Sequence, residues 1–307
     1  MSFISTIDAP CALCGCGSSI KTIATKDFSY ATCENEFFYS ECECGVYRLI
    51  NQPLDEDMVR IYPENYSAYK PRRFGPMAQI RKWNFQTKVK DAIGKRKVNS
   101  WLDFGCGAGE LALVVESLGV EKVFGCDFSE TFFEELRGNG VVCFLSNELS
   151  RLDDKSLDVV SMLQVIEHLR DPRRELEAIR SKMKNNGVIL IETPSPSGLD
   201  FMLGKNQAWG GWHAPRHFYI FPQTKLAQLL EECGFKVVSA KFIPSPYMWI
   251  ETLRGLMTVN RKYPITSKKL SIGNVFLVAA VALVDYFLII LRRPTSNQQI
   301  VAVKEEY

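Results

Sequence analysis

Three histidines are all the chain has, and they fall in two segments: His168 follows Glu167, while His213 and His217 lie within Trp209-Gly-Gly-Trp212-His213-Ala-Pro-Arg216-His217-Phe-Tyr219. Imidazole titrates close enough to neutrality to take a proton from an acceptor group, and it also ligates metals. Glu167, His168, His213 and His217 are therefore the candidate catalytic residues, with a structural hydrogen-bonding role as the competing account for any one of them. Trp212, Arg216 and Tyr219 would shape the pocket around them, and Arg216 could pair with a phosphate or carboxylate.

A second chemistry is written in Trp101-Leu-Asp103-Phe-Gly105-Cys-Gly107-Ala-Gly109-Glu110. Glycines let the backbone turn sharply out of a strand and approach a ligand with no Cβ in the way, and the following helix presents free N–H groups. A nucleotide-type cofactor is implied. A dinucleotide fingerprint would want Gly or Ala where Glu110 stands, so Glu110 counts against NAD. Asp127 ends the next strand, where a carboxylate can accept both hydroxyls of a ribose.

Cysteines carry the third. Of ten in the chain, Cys11, Cys14, Cys16, Cys33, Cys42 and Cys44 crowd the N-terminal segment. Cys11-Ala-Leu-Cys14-Gly15 has the spacing and trailing glycine of a zinc knuckle. Cys44-Gly45 should close a second, but Glu41 occupies the usual partner position and leaves the short pair Cys42 and Cys44. Structural zinc on Cys11, Cys14, Cys42 and Cys44 is the expectation, with Cys33 or Cys16 as substitutes. With no secretory signal at the start, a cytoplasmic setting is expected, where free thiols or metal ligands outnumber disulfides.

These groups need elements to hold them. Strand patterns at 100–104, 122–126, 141–145, 157–163, 187–192 and 235–242 alternate with helical ones at 110–118, 130–137, 173–184 and 224–233. The fold class is α/β, a Rossmann-like doubly wound, mostly parallel sheet whose ligands bind at the carboxyl ends of its strands. A zinc-ribbon-like lobe (1–53), a connector and basic entry helix (54–97), the core (98–245) and a C-terminal hydrophobic helix with a closing strand (246–307) complete the division. From Lys70 to Lys97 ten Lys or Arg face a single acid, Asp91, although the net charge of the whole chain is only +2. That stretch is a solvated helix face or a surface for an anionic substrate or membrane. The apolar run 275–291, interrupted by Asp285, is slightly short for a spanning helix. If the strand pattern at 299–303 joins the core sheet, the run is a membrane-dipping helix, a dimer-forming helix or a buried core helix.

Leu102-Asp103-Phe-Gly-Cys-Gly-Ala-Gly109, then Gly125-Cys-Asp127-Phe-Ser129, Leu157-Asp-Val-Val and Val165-Ile-Glu167-His168-Leu-Arg-Asp-Pro172 resemble the class I S-adenosylmethionine-dependent methyltransferases of the ubiquinone and sugar methylating kind, over 98 to about 240. The resemblance implies that Asp103, Gly105, Gly107 and Gly109 hold the methionine moiety, Asp127 the ribose and Phe128 a face of the adenine. It sets Asn147, with Ser146 as the alternative, at the adenine edge and Gln164 on the sulfonium side. The cysteine segment resembles that of bacterial polysaccharide and deoxysugar methyltransferases. The two resemblances together imply methyl transfer to a small-molecule acceptor: a saccharide, sugar nucleotide or lipid-linked saccharide of a surface-glycan pathway, or alternatively a quinone-like phenol. Nucleic acid is the less favoured substrate. Contact with the inner face of a membrane through 275–291 is a further expectation, and the oligomeric state is open.

Overall fold

The computed structural model describes residues 2–18, 20–63, 66, 76–259 and 270–306. Its N-terminal part is built from short strands: β1 (Thr6–Asp8), β2 (Lys21–Thr25), β3 (Phe37–Glu41), β4 (Tyr47–Leu49) and β5 (Asn51–Pro53). Strand β1 pairs with β5, and β2, β3 and β4 form an antiparallel meander. A single turn α1 (Met58–Ile61) and the long helix α2 (Pro76–Ile93) lead to the core. The stretch that was expected to be a basic entry helix is helical from Pro76 on, while Lys70, Arg72 and Arg73 lie outside the described residues. Helix α2 is not a uniformly solvated basic face, because Arg81 pairs with Glu110 and Lys88 with the buried Glu192.

Strand β6 (Ser100–Phe104) is buried at all of its residues, the pattern of a central parallel strand covered on both faces. Around it lie α3 (Glu110–Ser117), β7 (Lys122–Asp127), α4 (Phe133–Gly138), β8 (Val142–Leu145), β9 (Leu157–Leu163), α5 (Pro172–Lys182), β10 (Met183–Pro194), α6 (Leu199–Gly204), β11 (Tyr219–Ile220), α7 (Gln223–Glu232), β12 (Phe235–Ile243), α8 (Pro246–Thr258), α9 (Val275–Ile290) and β13 (Asn297–Lys304). The seven-stranded sheet has the order β12-β13-β10-β9-β6-β7-β8. Strands β8, β7, β6, β9 and β10 are parallel, and β13 is antiparallel to both β10 and β12. Compared with the dinucleotide-binding order 3-2-1-4-5-6, an extra antiparallel strand stands between the fifth and sixth. Local signals explain the helix starts: Asp171 accepts the Arg174 N–H at 3.1 Å with Pro172 in the first turn of α5, and Asn274 accepts the Leu277 N–H at 3.2 Å to open α9. Helices α6 and α8 had no counterpart in the periodicity reading.

The cysteine-bearing strands do not stand apart. Strand β11, from the histidine segment, adds to their sheet by pairing with β4, Tyr219 opposite Arg48 and Ile220 opposite Tyr47. The Tyr39 hydroxyl lies 2.6 Å from the carbonyls of both Trp212 and His217, and Cys11, Phe37, Tyr39 and Leu49 share one apolar cluster with Trp212, Phe218, Leu102 and Phe104. At the centre of this junction is Arg216, fully buried. It donates to both Asp27 oxygens at 3.1 and 2.9 Å, to the Ile61 carbonyl at 2.7 Å and to the Ala214 carbonyl at 3.3 Å. The expected role for Arg216 as a partner of substrate phosphate or carboxylate is thus overturned: its counter-charge is internal.

Strand β13 lies inside the core sheet, so both flanks of α9 return to one body. Among the described residues no helix is long and apolar enough to cross a membrane. Nor is α9 a buried core helix, since only Val281 and Asp285 are buried along it. Asp285 accepts the Ser245 N–H at 2.6 Å and the Trp249 indole N–H at 2.8 Å, fastening α9 to α8.

Asp27→Asn should leave the Arg216 guanidinium buried without its counter-charge and cost about 3–5 kcal/mol of stability. Denaturant unfolding measures this, and an unchanged midpoint would show that the pair does not hold the junction.

Candidate active site

The turn after β6 runs Gly105, Gly107 and Gly109 through φ of 75°, 52° and 69°, in the left-handed region that glycine occupies without strain. A Cβ on Gly105 would sit 2.5 Å from Val165 Cγ2, so the turn and the end of β9 approach too closely for any other residue. Between β6 and β9 the strand order reverses, and ligands of such sheets bind in the crevice at that point. The N-cap of α3 is Gly109, which has no side chain to cap the helix, and the helix N-terminus faces this crevice. The Gly107 N–H donates to Asp127 Oδ2 at 2.8 Å and the Ser129 N–H to Oδ1 at 3.1 Å, which fix the carboxylate at the end of β7. Asp103 is buried beneath the turn and accepts from Ser161 at 2.8 Å, with Trp101 donating to that serine at 2.9 Å. Burial pushes the Asp103 carboxyl up to about 7 and also raises Asp127.

Phe128, 57% exposed, follows at the mouth of the crevice. Asn147 is exposed on the 3-10 turn Ser146–Arg151, just beyond Leu145, the residue in register with Asp127. Gln164 adopts φ 58° at the end of β9, its N–H on the Glu192 carbonyl at 2.7 Å and its amide on Asn297 Oδ1 at 3.2 Å.

All three histidines meet beside this turn. The His168 and His217 rings are 4.6 Å apart and those of His213 and His217 4.9 Å. Tyr62 links them to the turn, its ring 5.1 Å from Phe128 and its hydroxyl 3.1 Å from His168 Nδ1. His168 Nδ1 is also 3.0 Å from the Arg216 carbonyl, and His217 Nδ1 is 2.8 Å from the Gly211 carbonyl; a proton on each Nδ1 satisfies both carbonyls and leaves Nε2 as the acceptor. Burial holds all three rings neutral, pushing His168 down to about 4 and His213 and His217 well below the ordinary range. Glu167 is buried, receives Thr193 Oγ1 at 2.8 Å and has Oε1 3.9 Å from His217 Nε2. Burial raises this carboxyl to about 8, so it keeps its proton at neutral pH. Ligand atoms of Glu167, His168 and His217 lie within 4.8 Å of one another, a spacing that could also hold a metal ion. Among the described residues, Glu167 Oε1 and His213 Nδ1 are buried without a hydrogen-bond partner. Sequence reasoning missed Thr193 and Tyr30, whose ring is 5.7 Å from His213. The position of Thr193 at the carboxyl end of β10 was the available signal for it.

The sulfur atoms of Cys11, Cys14, Cys42 and Cys44 come within 4.8 Å of one another, with Cys11 to Cys44 at 3.9 Å and Cys14 to Cys42 at 3.4 Å. Tetrahedral zinc with bonds of about 2.3 Å requires sulfurs about 3.8 Å apart, so the set fits that ion. Gly15 and Gly45, at φ 71° and 85°, turn the backbone under the two pairs. Cys16 instead meets Ser18 Oγ at 2.8 Å, and Cys33 is buried outside the cluster, so neither substitute is needed.

A sheet of this order, with a glycine turn after the first strand and an acid ending the second, is the fold of the S-adenosylmethionine-dependent methyltransferases. The family model described as Methyltransferase domain matches residues 73–240, more than half of the chain, and the chain belongs to that family. A ubiquinone biosynthesis O-methyltransferase of Neisseria meningitidis serogroup A is 30% identical over 112 residues, 34% of this chain and 45% of that protein. One from Dinoroseobacter shibae is 30% identical over 179 residues, 50% of this chain and 68% of that protein. The chain thus spans under half the length of the first of these relatives. The structure of Haemonchus contortus phosphoethanolamine N-methyltransferase 2 in complex with S-adenosyl-L-methionine is alike in fold, with a TM-score of 0.51 at 15% identity, covering 93% of this chain and 68% of that one.

Metal analysis of purified protein should find one zinc per chain, lost in Cys42→Ser and kept in Cys16→Ser and Cys33→Ser; full zinc in Cys42→Ser would refute the ligand set. For Glu167, whose carboxyl lies at about 8 in the folded chain against an ordinary 4.5, folding favours the protonated form. Its contribution to stability therefore declines as pH climbs between those values and is level above. Thermal melts should show wild type losing ground to Glu167→Gln as pH rises from about 5 to about 8. A difference that is flat with pH would mean the carboxyl is ionised throughout.

Proposed function

We propose that the protein transfers a methyl group from S-adenosylmethionine to a hydroxyl of a small-molecule acceptor, a saccharide, sugar nucleotide or lipid-linked saccharide of a surface-glycan pathway. When bound, S-adenosylmethionine supplies an electrophilic sulfonium methyl. The left-handed glycine turn at the strand-order reversal, and the Asp127 carboxylate held at the end of the neighbouring strand, fit such a group. In this reading Asp103, Gly105, Gly107 and Gly109 hold its methionine part, Asp127 its ribose, Phe128 and Asn147 its adenine, and Gln164 lines the sulfonium side.

His168 Nε2 takes the acceptor's proton as the hydroxyl oxygen attacks, with Tyr62 and the Arg216 carbonyl fixing the ring. A neutral imidazole is the form able to do this, and burial keeps it so. One observation carries the saccharide: Glu167 Oε1 and His213 Nδ1 are buried and unsatisfied among the described residues. Each such atom costs about 1–3 kcal/mol until a partner arrives, and a polyhydroxylated ring brings several partners at once. The rings of Tyr30 and Tyr66 lie 5.7 and 6.1 Å from His213 and surround it with aromatic side chains. A quinone-like phenol is the second reading, favoured by the relatives named for ubiquinone biosynthesis. Nucleic acid is disfavoured by the internal pairing of Arg81 and Lys88.

Labelled S-adenosylmethionine offered with nucleotide-linked and lipid-linked saccharides, and separately with polyprenyl phenols, decides between acceptors. Label in the saccharide is expected, and label in the phenol alone would overturn that choice. His168→Ala should lower kcat by about 10²–10⁴-fold while S-adenosylhomocysteine binds as before by calorimetry; an unchanged kcat would remove His168 as the base.

A further inference from the structure

Helix α9 presents an apolar half to its surroundings. At 3.6 residues per turn, Phe276, Leu283, Phe287 and Ile290 fall within about 60° of one another around the axis. They are 89%, 68%, 61% and 77% exposed. Val281 and Asp285, the buried residues of the helix, point the opposite way and face α8. No charged residue lies on the exposed half, because the one acid of the helix is the buried Asp285. Arg292 and Arg293 follow the helix and are exposed. Helix α8 beside it adds exposed Leu256 and Met257.

We propose that this face seats the protein on an anionic lipid bilayer, α9 lying in the plane of the interface with its apolar half among the upper acyl chains and Arg292 and Arg293 on the headgroups. A helix of 16 residues is about 24 Å long, too short to span but long enough to lie flat. Charge selects this occupant over a second copy of the chain. A two-fold contact would lay one exposed apolar half on another and leave Arg292 and Arg293 with no acid on the face to meet them. Anionic headgroups supply the missing charge. The seat is independent of which acceptor is methylated, and it would bring the site to lipid-borne molecules.

The test is flotation of the full chain with phosphatidylcholine vesicles, with and without about a third phosphatidylglycerol, alongside light scattering in the absence of lipid. Wild type should float with the anionic vesicles and scatter as a monomer. Phe276→Ser/Phe287→Ser should lose at least ten-fold in vesicle affinity with an unchanged melting temperature and unchanged S-adenosylhomocysteine binding. Arg292→Gln/Arg293→Gln should erase the preference for phosphatidylglycerol. Wild type that fails to float, or a lipid-free dimer that Phe276→Ser/Phe287→Ser dissolves, would overturn the proposal, the latter in favour of self-association. Should the serine pair lower the melting temperature, tryptophan quenching of Phe287→Trp by brominated lipid replaces it: quenching sustains the seat, and its absence ends it.

Discussion

A buried guanidinium must have its charge met inside the protein, and Arg216 meets it with residues from three distant parts of the chain: Asp27 beside the cysteine strands, the Ile61 carbonyl before the core and its own segment. Desolvating such a group is tolerable only with near-complete pairing. The constraint therefore fixes the histidine segment against the cysteine strands. Its neighbours are placed as a result: the Arg216 carbonyl meets His168, the Phe218 N–H donates to the Glu167 carbonyl at 2.7 Å, and Tyr219 begins the strand that completes the small sheet. The cysteine-bearing part of the molecule is in this sense a wall of the candidate site.

Burial sets the chemistry of that site as much as residue identity does. In water a glutamate beside a histidine would be ionised at neutral pH. Here the same desolvation moves them in opposite directions, depressing the three imidazoles and raising Glu167. Both end up neutral. A cluster free of net charge can accept a neutral hydroxyl compound without a large desolvation cost, and can lie close to a cationic sulfonium without repelling it.

The features legible in the sequence were local ones. Strand β6, the glycine turn and Asp127 could be read because each is a short run whose spacing is its own signal, and β9 at 157–163 was met at both ends. That β13 joins the core sheet is a condition in the sequence reading, and its antiparallel direction is not in it, since period-2 patterning says nothing of partners. Arg216 was misread because its counter-charge lies 189 residues away, and an arginine among histidines looks like a ligand for substrate until Asp27 is seen. Helix α6 is too short to show a period. The Cys42 and Cys44 pair, odd by spacing, became intelligible once Gly45 turned the chain beneath it.

The sheet's connectivity also dictates an order of events during synthesis. Strand β12 touches the sheet only through β13, so from Ile243 until the residues near Asn297 have been made it has nothing to pair with. In that interval the ribosome releases α8 and the apolar α9, both with unburied faces. Long-range pairing of this kind is slow relative to local helix formation, so the strand edge and the apolar helix stay uncovered together until β13 is in place.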